Sequence, residues 1–158
     1  MPLLNYTTEV PATKSVAEIT RILQEGGATA ILFLYDPEKR ISAIQFKLLT
    51  TFGETAFELP ANISSVSLAI NGQIKAESEA IRQRKKRSRN IPLRLFNDRE
   101  QAERIAWRIV KDWIEANVAV NQIGAAKLEQ VLIPFAVDES GKTFYQRLVD
   151  RGGPLLLQ

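Results

Sequence analysis

The sequence has neither cysteine nor histidine among its 158 residues. Without cysteine there is no disulfide framework, thiolate nucleophile or iron–sulfur cluster, which is typical of a reducing, intracellular compartment. Without histidine, the usual zinc ligands, the Ser-His and Cys-His pairs and the commonest general base near neutral pH are all missing. Catalysis would have to use carboxylates, lysine, tyrosine or a carboxylate-bound Mg²⁺. We therefore expect a protein that is not an enzyme and has no metal or cofactor.

Long hydrophobic runs are also missing. The longest apolar run, Ala30 to Tyr35, is far shorter than the roughly 20 residues that a membrane-spanning helix needs. The first ten residues lack both a positive start and an apolar stretch long enough for export. The sequence thus predicts a soluble, cytoplasmic protein with no membrane partner.

The length and the apolar fraction of 45% suit a single domain, residues 1–158, with a real core. Within it we distinguish an α/β sheet layer (residues 1–62), a helix with a basic segment (63–96) and a helical region (97–158).

The N-terminal layer is predicted to have the order β-α-β-β-β. Strands are indicated at Leu4–Val10, at Thr29–Tyr35, from Ile41 onward and at Thr55–Leu59, and an amphipathic helix at about Ser15–Glu25. From Ile41 apolar and polar residues alternate strictly, as in a strand with one buried face. Short turns join the last three strands, so we expect an antiparallel meander with the helix packed on one face.

The C-terminal half is predicted to be mostly helical, which makes the fold class α+β. Its strongest element is a long amphipathic helix from about Asp98 to Ile123, with apolar residues every three to four positions. Trp113 lies in that apolar stripe and is expected in the core. Trp107 is offset from it, and we interpret it as a packing face for an oligomer partner or a ring beside the basic residues.

Positive charge is concentrated in one stretch. The window from Arg82 to Lys111 has 11 basic and 3 acidic residues, a net charge of +8, whereas the whole chain carries only +3, which leaves −5 for the remainder. Crowded like charges repel one another and favour an anionic partner, most commonly a nucleic-acid backbone. The residues expected to contact phosphates are Arg82, Arg84, Lys85, Lys86, Arg87, Arg89 and Arg94.

Other interpretations of this run stay open: a solvated loop, a nuclear-import signal or a patch for anionic lipids. Arg99, Arg104, Arg108 and Lys111 would extend it along the long helix as a stripe on a folded surface. In a single-strand binder, aromatic rings stack on bases beside such cations. Tyr35 and Phe52, beside turns, are our candidates for the stacking rings. Lys47, on the open face of its strand, is the candidate cation beside them.

A spacing typical of Mg²⁺-dependent nucleases is present in outline. Asp36 ends one strand and Gln45-Phe46-Lys47 lies on the next, with Glu18 on the first helix as a possible third ligand. Glutamine in place of an acid weakens the metal site, and an Asp-Pro turn needs no further function. A nuclease is therefore a distant third hypothesis.

Two stretches resemble small uncharacterised proteins of bacteriophages and other bacterial mobile elements. They are the segment Gln101–Arg108, continued by Lys111–Ala116, and the opening formed by Asn5–Thr8 and Ser15–Ile19. The resemblance implies a bacterial or viral context, in which a small protein with a basic strip often handles DNA, and it implies no activity or site.

Together these features favour a non-enzymatic nucleic-acid-binding protein. Single-stranded DNA is the favoured partner because no helix-turn-helix, zinc-finger or other duplex-reading signature is present. The alternative is an interaction or assembly protein of a phage or mobile element, with the long helix driving homodimerisation.

Overall fold

The computed structural model describes residues 3–83 and 99–152, and for residues 77, 78 and 80–83 it describes the backbone alone. The elements, in chain order, are α1 (Ala12–Glu25), β1 (Ala30–Tyr35), β2 (Ile41–Thr50), β3 (Gly53–Pro60), α2 (Ile63–Gln83), α3 (Arg99–Gln122), α4 (Leu128–Leu132), a 3-10 turn (Ile133–Phe135) and α5 (Phe144–Asp150). The α+β class and the long C-terminal helix are confirmed.

The three strands form an antiparallel sheet in the order β1-β2-β3, which confirms the meander. Phe46, in the central strand, lies opposite Ile31 of β1 and Phe57 of β3. The register shifts once, between Leu34 and Tyr35.

The alternation along β2 produces a sheet with one buried face. Ile44, Phe46 and Leu48 are buried, and Phe46 stacks on Phe57 with 5.6 Å between ring centroids. The intervening Lys47 is exposed. At about 1.5–3 kcal/mol for each large apolar side chain buried, this face contributes much of the stability of the sheet.

The predicted strand at Leu4–Val10 is wrong, because Leu4–Thr7 forms a turn. Asn5 has a φ of 61°, a left-handed conformation that asparagine tolerates better than most residues. The Gln101 side-chain amide donates hydrogen bonds to the carbonyls of Tyr6 (3.3 Å) and Thr8 (3.0 Å). These bonds satisfy backbone groups that would otherwise need a neighbouring strand.

Helix α1 begins three residues before the predicted start, directly after Pro11, whose carbonyl accepts from the N–H groups of Lys14 and Ser15. Ser15, expected at the helix start, is inside the helix and fully buried. The predicted stop is confirmed, since Gly27 has a φ of 91°.

Trp107 is fully buried within the single chain, so it is not available to an oligomer partner. The sequence pattern placed it off the apolar stripe of α3, but Ala102, Ile105 and Ala106 are buried beside it. The buried side of α3 is therefore wider here than its apolar stripe, and it includes Trp107. Trp113 contacts Phe135 edge-to-face, with 5.3 Å between ring centroids.

The chain divides into two compact units, each made of two stretches of sequence. Unit 1 consists of Met1–Ala17 and Ala61–Asp112, and unit 2 of Glu18–Pro60 and Trp113–Gln158. Unit 1 contains the start of α1, α2 and the part of α3 up to Asp112, whereas unit 2 contains the rest of α1, the sheet, the end of α3, α4 and α5. Within the described ranges, no helix has the length and hydrophobicity needed to cross a membrane.

Replacement of Phe46 by alanine should lower the free energy of unfolding by about 3–5 kcal/mol, because it removes a buried ring and leaves a cavity against Phe57. Phe52→Ala, in the same hairpin but 80% exposed, should change it by less than about 0.5 kcal/mol. Urea unfolding of both variants measures the difference. Equal effects of the two substitutions would contradict the assigned buried face.

Candidate nucleic-acid interface

The basic segment, residues 82–94, begins at the end of α2 and precedes α3 in the sequence. Arg82 is in the last turn of α2, where the backbone alone is described, and the other six predicted phosphate contacts, Arg84, Lys85, Lys86, Arg87, Arg89 and Arg94, lie outside the described residues. Both flanking helix ends belong to unit 1.

The chain neutralises many of its other cations locally. The described basic side chains with a carboxylate oxygen within 4.0 Å include Arg21, Arg40, Lys47, Arg104, Arg108, Lys111, Lys142 and Arg147. Residues 82–97, in contrast, contain seven basic residues and no acidic one. The basic residues that have no acidic residue near them in the sequence are therefore concentrated in the basic segment.

The predicted continuation of the stripe along α3 has acidic partners. Arg104 pairs with Glu100, and Arg108 and Lys111 lie 3.7 and 3.6 Å from the Asp112 carboxylate. Lys111 is only 8% exposed. These cations present much less net charge to a ligand than the sequence pattern suggested.

Lys47 lies on the open face of β2, in unit 2, and its ammonium group is 3.2 Å from the Glu54 carboxylate. The Thr29 hydroxyl, at 3.0 Å, and then Lys47 hold the pKa of Glu54 below its ordinary value. Glu54 is therefore ionised at neutral pH and offsets the charge of Lys47. A phosphate at Lys47 would have to compete with this pair.

Tyr35 and Phe52 are exposed, at 61% and 80%, but they lie at opposite ends of the sheet. Tyr35 is opposite Ile41, at the start of β2, and Phe52 lies in the turn after Thr50, at its end. At about 3.3 Å per residue, the length of β2 between them is about 30 Å. The two rings cannot stack on neighbouring bases, so each would contact a different part of a bound strand.

Phe52 is presented on a well-anchored hairpin tip. Thr50 Oγ1 accepts from the Phe52 N–H at 3.1 Å, and Gly53 closes the turn with a φ of 98°. The Glu129 carboxylate accepts from the Thr51 N–H at 2.8 Å and from the Thr51 hydroxyl, which ties the tip to α4. Glu129 was not among the predicted site residues, and no local sequence signal links it to Thr51, 78 positions away.

A cleft of about 540 Å³ lies beside this tip, within unit 2. Its lining includes Leu49, Thr51, Asn121, Lys127 and Glu129. The volume is in the usual range for small-ligand sites, about 300–1,000 Å³. Glu129 and Thr51 bond to each other and Asn121 accepts from the Leu128 N–H at 3.1 Å, so these polar groups serve the fold.

The residues of the nuclease spacing have structural partners. The Asp36 carboxylate accepts from the backbone N–H groups of Glu38 and Arg40 at 2.9 and 3.0 Å, as a turn cap. The Gln45 amide donates across the strands to Glu58 at 2.7 Å. No group of three acidic residues suited to a metal occurs in the part of the chain that the structure describes. These contacts favour cross-strand pairing over a metal centre.

Comparisons with models of known protein families, with curated proteins and with solved structures found no match to the chain. Two features of the chain itself point to a function: the charge of the basic segment and the exposed ring on the anchored tip.

The contact between Glu129 and Thr51 should make the hairpin tip sensitive to acid. The Thr51 hydroxyl holds the pKa of Glu129 below its ordinary value of 4.5, so the stabilisation is complete above pH 4.5 and is lost as the pH falls through the lowered pKa. We expect Glu129→Gln to lower the midpoint of thermal unfolding at neutral pH and to reduce the further drop on acidification, as measured by circular dichroism.

Glu139→Gln is the matched control, because Glu139 is an exposed glutamate in a turn of the same unit. It should leave both the midpoint and its acid dependence as in the wild type. An equal effect of the two substitutions would show that the Glu129 contact is not the source of the acid sensitivity.

Proposed function

We propose that this chain is a non-enzymatic nucleic-acid-binding protein whose basic segment contacts the phosphate backbone, with single-stranded DNA as the favoured ligand. The observation that carries the proposal is the density of charge: seven basic residues and no acidic residue between positions 82 and 97. Elsewhere, basic side chains are commonly within 4.0 Å of a carboxylate.

Phosphate is the anion that this composition suits. Four of the six basic residues between Arg82 and Arg89 are arginines, whose planar guanidinium groups bind phosphate oxygens in pairs, and lysines add point charges. Binding would release counterions from the nucleic acid, so it should weaken as salt rises. The mechanism requires no base-specific contact.

The preference for a single strand is supported by the exposed rings. Phe52, 80% exposed on a tip held by Glu129, has the exposure and the support that stacking on an unpaired base requires. Tyr35, at the far end of the sheet, would form a second, independent contact. Lys47 would add a phosphate contact in competition with Glu54.

The second hypothesis, a homodimeric interaction protein of a phage or mobile element, needs a surface other than the one predicted on the long helix. Trp107 is buried, and every described residue from Gln101 to Ile114 is at least partly covered. A dimer would have to use a surface other than the one around Trp107.

Salt dependence tests the phosphate contacts. If the wild type neutralises four to six phosphates on a labelled single-stranded oligonucleotide, log affinity should fall against log salt with a slope of about −3 to −4. A quadruple variant, Arg84→Gln/Lys85→Gln/Lys86→Gln/Arg87→Gln, loses four of these contacts. Its slope should become shallower, between about 0 and −1, and its affinity at low salt should fall steeply.

The control variant, Arg21→Gln/Arg40→Gln/Lys142→Gln/Arg147→Gln, changes the net charge by the same amount at exposed ion pairs of unit 2. It should keep the wild-type slope. Failure of the wild type to bind single strands, duplex DNA or RNA at low salt would overturn the proposed function.

Removal of the Phe52 ring should weaken single-strand binding without changing its salt dependence. A stacked base is worth about 1–3 kcal/mol, and the ring carries no charge, so Phe52→Ala should lower affinity while the slope stays constant. Leu49→Ala, at an equally exposed apolar side chain near the same tip, is the control. Unchanged affinity of Phe52→Ala would exclude stacking at this tip.

A further inference from the structure

The two edges of the sheet differ in how their backbone groups are satisfied. At the outer edge of β3, Phe57 forms an antiparallel bridge with Ala136, and the Val137 N–H donates to the Ala56 carbonyl at 2.9 Å. At the outer edge of β1, no described residue supplies a comparable backbone partner. Among the residues that the structure describes, one edge is therefore partly covered, at Ala56 and Phe57, and the other has no backbone partner.

The side chains of β1 make this open edge unusual. All six residues, Ala30 to Tyr35, are apolar or aromatic, with no charge and no proline. Leu32 is 56% exposed and Tyr35 is 61% exposed. Natural proteins normally protect such edges with lysine, proline, bulges or a covering segment, because an apolar edge recruits another strand. The only irregularity of β1 is the register shift at its end, between Leu34 and Tyr35.

The buried face of the sheet is incomplete on this side. Ile31 and Phe33 of β1 are only half-buried, although Phe46 and Ile44, directly opposite them on β2, are 2% and 0% exposed. Ile31 and Phe33 lose coverage because the sheet ends at their strand. An added strand with apolar residues at the same alternation would cover them.

We propose that the outer edge of β1 pairs antiparallel with β1 of a second copy of this chain, so that two three-stranded sheets join into one of six strands. Antiparallel pairing of a strand with itself is compatible with a two-fold axis, the commonest symmetry of protein dimers. In such a pair, residues directly opposite each other share a face. An axis beside Leu32 or Phe33 therefore keeps both buried faces on the same side.

A second copy suits this edge better than a peptide of unrelated sequence. The pairing brings no like charges together, because β1 has none, and it supplies the same alternation of Ile31 and Phe33 against Ala30 and Leu32. The interaction uses neither the basic segment nor the hairpin tip, and Tyr35, at the end of β1, is the one residue that both proposals involve. Failure of the pairing would therefore leave the phosphate contacts of the basic segment and the stacking at Phe52 untouched.

Sedimentation equilibrium without nucleic acid tests the pairing. The wild type should be a dimer, and Leu32→Lys should weaken it at least tenfold, by placing two ammonium groups next to the two-fold axis. Leu49→Lys makes the same substitution at a 79% exposed position on the central strand, so it should leave the dimer intact. Both sites are exposed, so both variants should fold, as circular dichroism can verify.

Cross-linking provides an independent readout, because the chain contains no cysteine. A single Leu32→Cys variant should form a covalent dimer through a disulfide if the axis passes beside Leu32, or through a short bis-maleimide if the axis is beside Phe33, where the two residues are diagonal neighbours. Leu49→Cys should form no covalent dimer under either condition, as denaturing electrophoresis can show. A monomeric wild type at about 100 µM, well above the Kd of an ordinary specific dimer, or a dimer that Leu32→Lys leaves unchanged, would overturn the proposal.

Discussion

The alternation of side chains along β2 is the constraint on which the rest of unit 2 depends. As the central strand it is hydrogen-bonded to both neighbours, and its buried residues Ile44, Phe46 and Leu48 fix which face of each strand turns inward. A slip of one residue would expose these three side chains and bury Lys47. The same register places the turn at Thr51 and Phe52 beside Glu129, so the position of the exposed ring follows from the packing of the core.

Local neutralisation of charge distinguishes the described cations of α3 from the stripe that their sequence pattern suggested. In α3, cations of the apparent stripe have carboxylates within one helical turn, as in Arg104 with Glu100 and Arg108 with Asp112. Exposed pairs of this kind contribute little stability, but they cancel much of the field that a distant ligand would experience. The net charge of a stretch of sequence is therefore a poor guide to an anion site. A better guide is the number of charged side chains that have no oppositely charged neighbour within ion-pair distance.

Most secondary structure could be predicted because its signals are local. The period-two pattern from Ile41, the three-to-four-residue spacing in α3 and the glycines after α1 and α3 each act through neighbouring residues. The false strand at Leu4–Val10 shows the limit: Gln101, more than 90 positions away, satisfies its carbonyls in a turn. The anchoring of Thr51 by Glu129 and the burial of Trp107 depend on tertiary contacts too, and no periodicity encodes them.

The two tryptophans of α3 give the protein a built-in pair of optical probes. Trp107 belongs to unit 1 and is fully buried, whereas Trp113 belongs to unit 2 and lies against Phe135. They are the only tryptophans in the chain, so replacing one with phenylalanine leaves a single emitter in a known unit. Fluorescence of the two single-tryptophan proteins can therefore follow the unfolding of each unit separately and show whether a helix shared by both makes them melt as one.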